Sequence, residues 1–113
     1  GKKKSIRMKS IDFSRSDRLG DLIKSEISLI LKNDVKDPRL HGLTIVSVEL
    51  SKDIRRALIY FSSFNSFNEA HKEDVLRGIE KAKGFIRTLL SKRLKIKRVP
   101  ELVFKQDTSE LLL

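Results

Sequence analysis

Between Lys81 and Arg98 the sequence places eight basic residues, Lys81, Lys83, Arg87, Lys92, Arg93, Lys95, Lys97 and Arg98, and no acid. Charge runs on solvated helix faces usually interleave acids for pairing and solubility. An unbroken cationic run suits a row of phosphates instead. At helical spacing Lys83, Arg87 and, a turn further, Lys92 or Arg93 project from one side while Ile86, Leu89 and Leu90 face inward. The chemistry this predicts is electrostatic binding of structured RNA. With ~6 phosphates contacted, affinity falls by about three decades from low to physiological salt. Charge reversal at Lys83, Arg87 and Arg93 is expected to abolish binding and leave the fold intact. A second acid-free cluster, Lys2, Lys3, Lys4, Arg7 and Lys9, reads either as an RNA-binding arm or as a solubilising tail.

Two small residues, Ala82 and Gly84, interrupt the cationic run. They admit either close approach of backbone to RNA or close packing of helix on sheet. Phe64 and Phe67 could stack on bases or anchor a loop. Neither His41 nor His71 has Asp or Glu at metal-ligand or general-base spacing, and no Gly-rich phosphate loop is present. Glu73, Asp74 and Glu80 read as the acidic side of an exposed helix. A non-catalytic protein without cofactor or metal is expected.

The elements that must position these residues follow from periodicity. Residues 1–13 show none and read as a flexible basic arm. Ser14-Arg15-Ser16-Asp17 is a helix-start pattern, followed by Leu19, Leu22, Ile23, Ile27, Ile30 and Leu31 at helical spacing. Asp37-Pro38 ends helical geometry. Two strands are predicted next. Leu43 to Leu50 places Val46, Val48 and Leu50 on one face and Ile45, Ser47 and Glu49 on the other. Arg56 to Ser62 alternates Ala57, Ile59 and Phe61 against Leu58 and Tyr60, with a turn at Ser51-Lys52-Asp53 closing a hairpin. Ser66 or Asn68 could cap a long helix built on Val75, Leu76, Ile79, Ala82, Ile86, Leu89 and Leu90, which Gly84 is expected to kink. After Val99-Pro100, Leu102, Val103 and Phe104 suggest a third strand. One domain over residues 14–107 is expected, with a tail at 108–113.

Composition narrows the function classes. The 113 residues suffice for one domain with a modest core, and 39% are hydrophobic against 35% charged. The net charge is +10, yet outside the two basic clusters acids outnumber bases, so the positive field is local and points to a polyanionic partner. No cysteine is present, which removes disulfides and thiolate metal sites and suggests a reducing compartment. No stretch approaches the roughly 20 apolar residues of a membrane span, and the Lys-rich start lacks a signal peptide's apolar run. A cytoplasmic protein is expected. Rival readings are a generic duplex nucleic-acid binder, a basic helix lying on anionic lipid and, last, a nuclease.

Several blocks resemble the ribosome-binding factor A family of bacteria and organelles. They are Arg18 with Glu26-Ile27 and Ile30-Leu31, Val35 to Leu40, Thr44 to Ser51, Ala57 to Ser62, Lys81 to Arg87, and Arg98 to Leu102 with Phe104 and Asp107. The resemblance implies an α+β, type II KH-like domain of order α-β-β-α-α-β, with helices on one face of a three-stranded sheet. In that family a helix-kink-helix replaces the usual Gly-x-x-Gly loop, here Ala82-Lys83-Gly84. The resemblance also implies a monomer that binds free 30S subunits and 16S ribosomal RNA near its 5′-terminal helix late in processing. A role in cold adaptation and release by an assembly GTPase are implied likewise. An ordinary KH loop grips single strands through its backbone. Without it, recognition is expected to rest on RNA shape and on phosphate contacts from the cationic run.

Overall fold

The computed structural model describes residues 15–63 and 69–107. Helix α1 (Arg15–Asn33) leads through a single 3-10 turn (Pro38–Leu40) to strands β1 (Thr44–Leu50) and β2 (Arg56–Ser62), then helix α2 (Glu69–Leu94) and strand β3 (Glu101–Gln106). The expected basic arm, the Ser14 helix start, the Phe64 and Phe67 loop with its Ser66 or Asn68 cap, and the tail from 108 lie outside the described residues. An α+β domain with a three-stranded sheet is observed as expected. The third helix is not a separate element: Glu69–Leu94 is one α-helix that runs through Ala82-Lys83-Gly84. A glycine weakens a helix by about 1 kcal/mol, which tertiary packing on either side readily overcomes.

The sheet order is β1-β2-β3. β1 and β2 pair antiparallel, joined by a loop in which Ser51 Oγ accepts from the Arg55 and Arg56 N–H groups and donates to Asp53. β2 and β3 run parallel. A parallel pair needs a long crossover connection, and α2 supplies it. That requirement puts the cationic end of α2 beside the start of β3.

One face of the sheet carries the core. Ala57, Ile59, Phe61 and Leu102 are completely buried under Ile23, Ile27 and Ile30 of α1, and under Val75, Ile79, Ile86 and Leu90 of α2. The intervening Leu58 and Tyr60 are half-buried on the other face. In β1 the sequence pattern misplaces a face. A β-bulge between Ile45 and Ser47 leaves Val46 without a cross-strand partner, so Ile45 joins Val48 and Leu50 toward the helices while Val46 turns outward. Leu22 and Leu76, expected inward, are also exposed.

Two glycines mark where helices approach closely. A Cβ on Gly20 would stand 3.3 Å from the Val48 carbonyl, which lets α1 lie tight on β1. One on Gly78 would stand 3.1 Å from Leu40 Cδ2 and 3.3 Å from Asp37 Oδ2, because the 3-10 turn seats directly on α2. That turn is rigid. Asp37 caps it by accepting the Arg39 N–H at 2.9 Å, and the Arg39 guanidinium closes back on the same carboxylate at 2.7 Å. These bonds from the Arg39 side chain and N–H hold the Asp37 carboxyl down at about 2.

Candidate nucleic-acid interface

Residues Lys81 to Leu94 form the second half of α2, and Lys95 to Arg98 continue into the loop before β3. Burial of Ile86 and Leu90 fixes the rotation of the helix, and the positions of its cations follow from that. At about 100° per residue, Lys83 and Arg87 share one flank, whereas Lys81 and Lys92 share another roughly opposite, flanking Phe85. The expected single row is therefore two.

The cations also differ in what they touch. Arg93 reaches across to α1, with Nη2 2.7 Å from Asp34 Oδ2 and Nη1 3.6 Å from Glu26 Oε1. It clamps the C-terminal ends of the two helices together. Lys83 lies 2.8 Å from Glu80 Oε2, one turn back. Arg87 stays exposed and donates to the Val99 carbonyl at 3.2 Å, bracing the loop against the helix. Among the described residues Lys81, Arg87, Lys92, Lys95, Lys97 and Arg98 are exposed and have no carboxylate partner. Removing two of the eight cations from competition leaves an electropositive surface that wraps the end of α2.

Lys95 terminates the helix in the left-handed region, φ 53°, with its N–H donating to the Ser91 carbonyl at 3.1 Å. A glycine normally takes this position because a Cβ is disfavoured there. The reversal carries Lys95, Lys97 and Arg98 off the helix axis, so they do not continue either helical flank.

Gly84 resolves one of the two open readings. A Cβ built there meets nothing within 4 Å, so the residue is not small for the sake of packing on the sheet. Its exposed backbone sits between the two cationic flanks, with the Gly84 carbonyl accepting from Thr88 Oγ1 at 3.0 Å. Ala82, by contrast, packs partly against the core.

Sequence reasoning missed Phe85, which is 47% exposed although its neighbour Ile86 is 1% exposed. It opens on a groove of about 400 Å³ whose other wall is the segment Asp34 to Arg39, including Lys36. Only the helical phase set by the buried residues could have located it. His71 Nε2 lies 3.1 Å from Ser63 Oγ, tying the end of β2 to the start of α2. Among the described residues no group of three or more His, Asp or Glu could hold a metal ion.

Similarity to known proteins is consistent along the whole described chain. The Ribosome-binding factor A family matches residues 15–111. The chain is 46% identical over 97 residues to Ribosome-binding factor A of Syntrophus aciditrophicus, covering 86% of this chain and 77% of that one. The crystal structure of ribosome-binding factor A from Thermus thermophilus superposes with a TM-score of 0.71 at 28% identity, covering 80% of this chain and 93% of that one. A homology model of the T. thermophilus factor, fitted into a cryo-electron microscopy map of its 30S complex, gives 0.66 at 28% identity, covering 79% and 91%. From its two helices on a β1-β2-β3 sheet, the cationic end of α2 and these likenesses, the chain belongs to the ribosome-binding factor A family.

Proposed function

We propose that this protein binds the small ribosomal subunit during its maturation, through a type II KH-like domain spanning 14–107, and acts by binding and not by catalysis. The observation that carries the reading is the set of exposed cations at the end of α2, Lys81, Arg87, Lys92, Lys95, Lys97 and Arg98, which lack carboxylate partners among the described residues. Like charges so concentrated repel one another and are stabilised by a polyanion. The 30S complex of the Thermus thermophilus relative supports the small subunit as that polyanion.

On this reading, Lys81, Arg87 and Lys92 contact 16S ribosomal RNA near its 5′-terminal helix late in processing. Ala82-Lys83-Gly84 presents backbone to the RNA. Gly84 suits that role because no side chain of the fold stands over it. Arg93 contributes indirectly, by fixing α2 on α1. Lys2, Lys3, Lys4, Arg7 and Lys9 of the arm add phosphate contacts. The protein works as a cytoplasmic monomer on free 30S particles, supports growth in the cold and is released by an assembly GTPase. The parallel β2–β3 pair bridged by α2 supports the KH-like assignment, with the two expected helices merged into one.

A lipid surface fits this helix poorly. Ile86 and Leu90 are buried beneath the sheet, and the exposed Leu76 and Phe85 stand on opposite flanks, so no apolar stripe faces outward. Sucrose-gradient sedimentation of a lysate tests the proposal. Co-migration with free small subunits and depletion from translating ribosomes are expected. Charge reversal of Lys81, Arg87 and Lys92 together should abolish co-migration without unfolding the protein. A triple variant that still co-migrates refutes this surface, and equal displacement by any RNA duplex refutes ribosomal specificity.

A further inference from the structure

Phe85 is the one aromatic among the exposed large apolar side chains of the described residues. Its surroundings are cationic. Lys81 lies one turn before it and Lys92 two turns after it on the same helical flank, and Lys36 stands in the opposite wall of the groove. Two acids also line this groove, but both are engaged: Asp34 with Arg93 at 2.7 Å and Asp37 with Arg39 at 2.7 Å. The charge left for a ligand is that of Lys36 and Lys81, neither of which forms a close ion pair among the described residues, although Lys81 lies near enough to Asp37 to help hold its carboxyl ionised.

An exposed phenyl ring between unpaired lysines matches the two parts of a nucleotide, a flat base and an anionic phosphate. We propose that Phe85 is a stacking platform for one unpaired base of the bound RNA, with the neighbouring phosphates held by Lys81 and Lys36. This rests on the small-subunit reading above and narrows it. Within a duplex each base is stacked on its neighbours and offers no free face, so the RNA at this flank of α2 contains an unstacked nucleotide. Stacking tolerates any base, which suits a site whose nearby side chains offer cations in place of a fixed set of donors and acceptors for base edges.

The chain contains no tryptophan, so Phe85→Trp introduces a single fluorescent reporter at the site. Its emission is followed on adding an unstructured ten-nucleotide oligouridylate, and separately a blunt RNA duplex carrying the same number of phosphates. Quenching by the single strand and not by the duplex is expected. Fluorescence anisotropy of the labelled oligouridylate should show Phe85→Leu binding about ten-fold more weakly than wild type, equivalent to ~1.4 kcal/mol. Circular dichroism of both variants should match wild type, since the side chain lies outside the core.

Unchanged emission with oligouridylate, equal quenching by the duplex, or full affinity in Phe85→Leu each overturns the proposal. Loss of small-subunit co-migration in Phe85→Leu without quenching by either RNA also overturns it, and assigns the ring to a protein partner. The wild-type gradient separates this failure from that of the wider reading. Wild type that co-migrates beside an unquenched Trp variant removes only the stacking. Wild type that does not co-migrate removes the subunit assignment whatever the fluorescence shows.

Discussion

Gly78 and Gly84 lie on the same helix, and the structure predicts opposite outcomes when each becomes alanine. Glycine is about 0.8–1.0 kcal/mol worse than alanine inside a helix. At Gly84 nothing stands within 4 Å of the new methyl, so the whole of that difference should appear as stabilisation. A gain of about 1 kcal/mol raises Tm by roughly 4–8 °C in a domain of this size. At Gly78 the same helical gain meets a methyl 3.1 Å from Leu40 Cδ2, 3.3 Å from Asp37 Oδ2 and 3.4 Å from Arg39 Nε. Leu40 is buried in the core, and Asp37 and Arg39 are locked to each other by several hydrogen bonds. Overpacking of this kind costs about 1–3 kcal/mol. The net should therefore be a loss of up to about 2 kcal/mol. Thermal melts of the two variants measure both signs, and shifts in the same direction would refute the reasoning. Subunit binding adds a second readout. If Gly84 presents backbone to RNA, Gly84→Ala should co-migrate less with small subunits while melting higher. A more stable variant with undiminished binding would show that its open backbone is unused.

Further outcomes follow from other contacts. Arg93→Glu sets a carboxylate against Asp34 and Glu26, and should lower stability by about 1 kcal/mol or more, while Lys92→Glu leaves the melt nearly unchanged; equal effects would discount the clamp. The lowered Asp37 pKa favours the folded state above the ordinary carboxylate value, and this contribution is lost as pH falls from about 4 toward about 2. Melts of Asp37→Asn over that interval should depend less on pH than those of wild type. Lys95→Gly relieves a left-handed residue at the end of α2, a penalty of about 1–2 kcal/mol offset by about 0.4–1 kcal/mol of glycine entropy, and should raise stability by up to about 1 kcal/mol, measured by urea unfolding; Ile54→Gly, at φ 59° in the hairpin loop, should act likewise. Across the interface, raising salt from 50 to 200 mM should weaken RNA binding about a thousand-fold if ~6 phosphates are contacted.

The sequence by itself determined the first helix, the hairpin and the last strand, since these depend on local periodicity, whereas the two helices expected around Gly84 are one. Alternation along Ala57 to Phe61 and helical spacing from Ile23 to Leu31 each have one burial solution, and both residue sets are buried as expected. The local excess of cations near residue 90 was equally legible, because it is a matter of composition. Face and partner were decided by the tertiary structure. A one-residue bulge exchanged Ile45 for Val46 in β1, and no pattern within a single strand reveals a bulge whose cause lies in pairing. Arg93 read as one more free cation until Asp34, 59 residues away, was folded against it. For Phe85, only the buried Ile86 and Leu90 fix which way the ring points. Charge, in short, is a property of residues, whereas availability for a ligand depends on what the rest of the chain has already brought beside them.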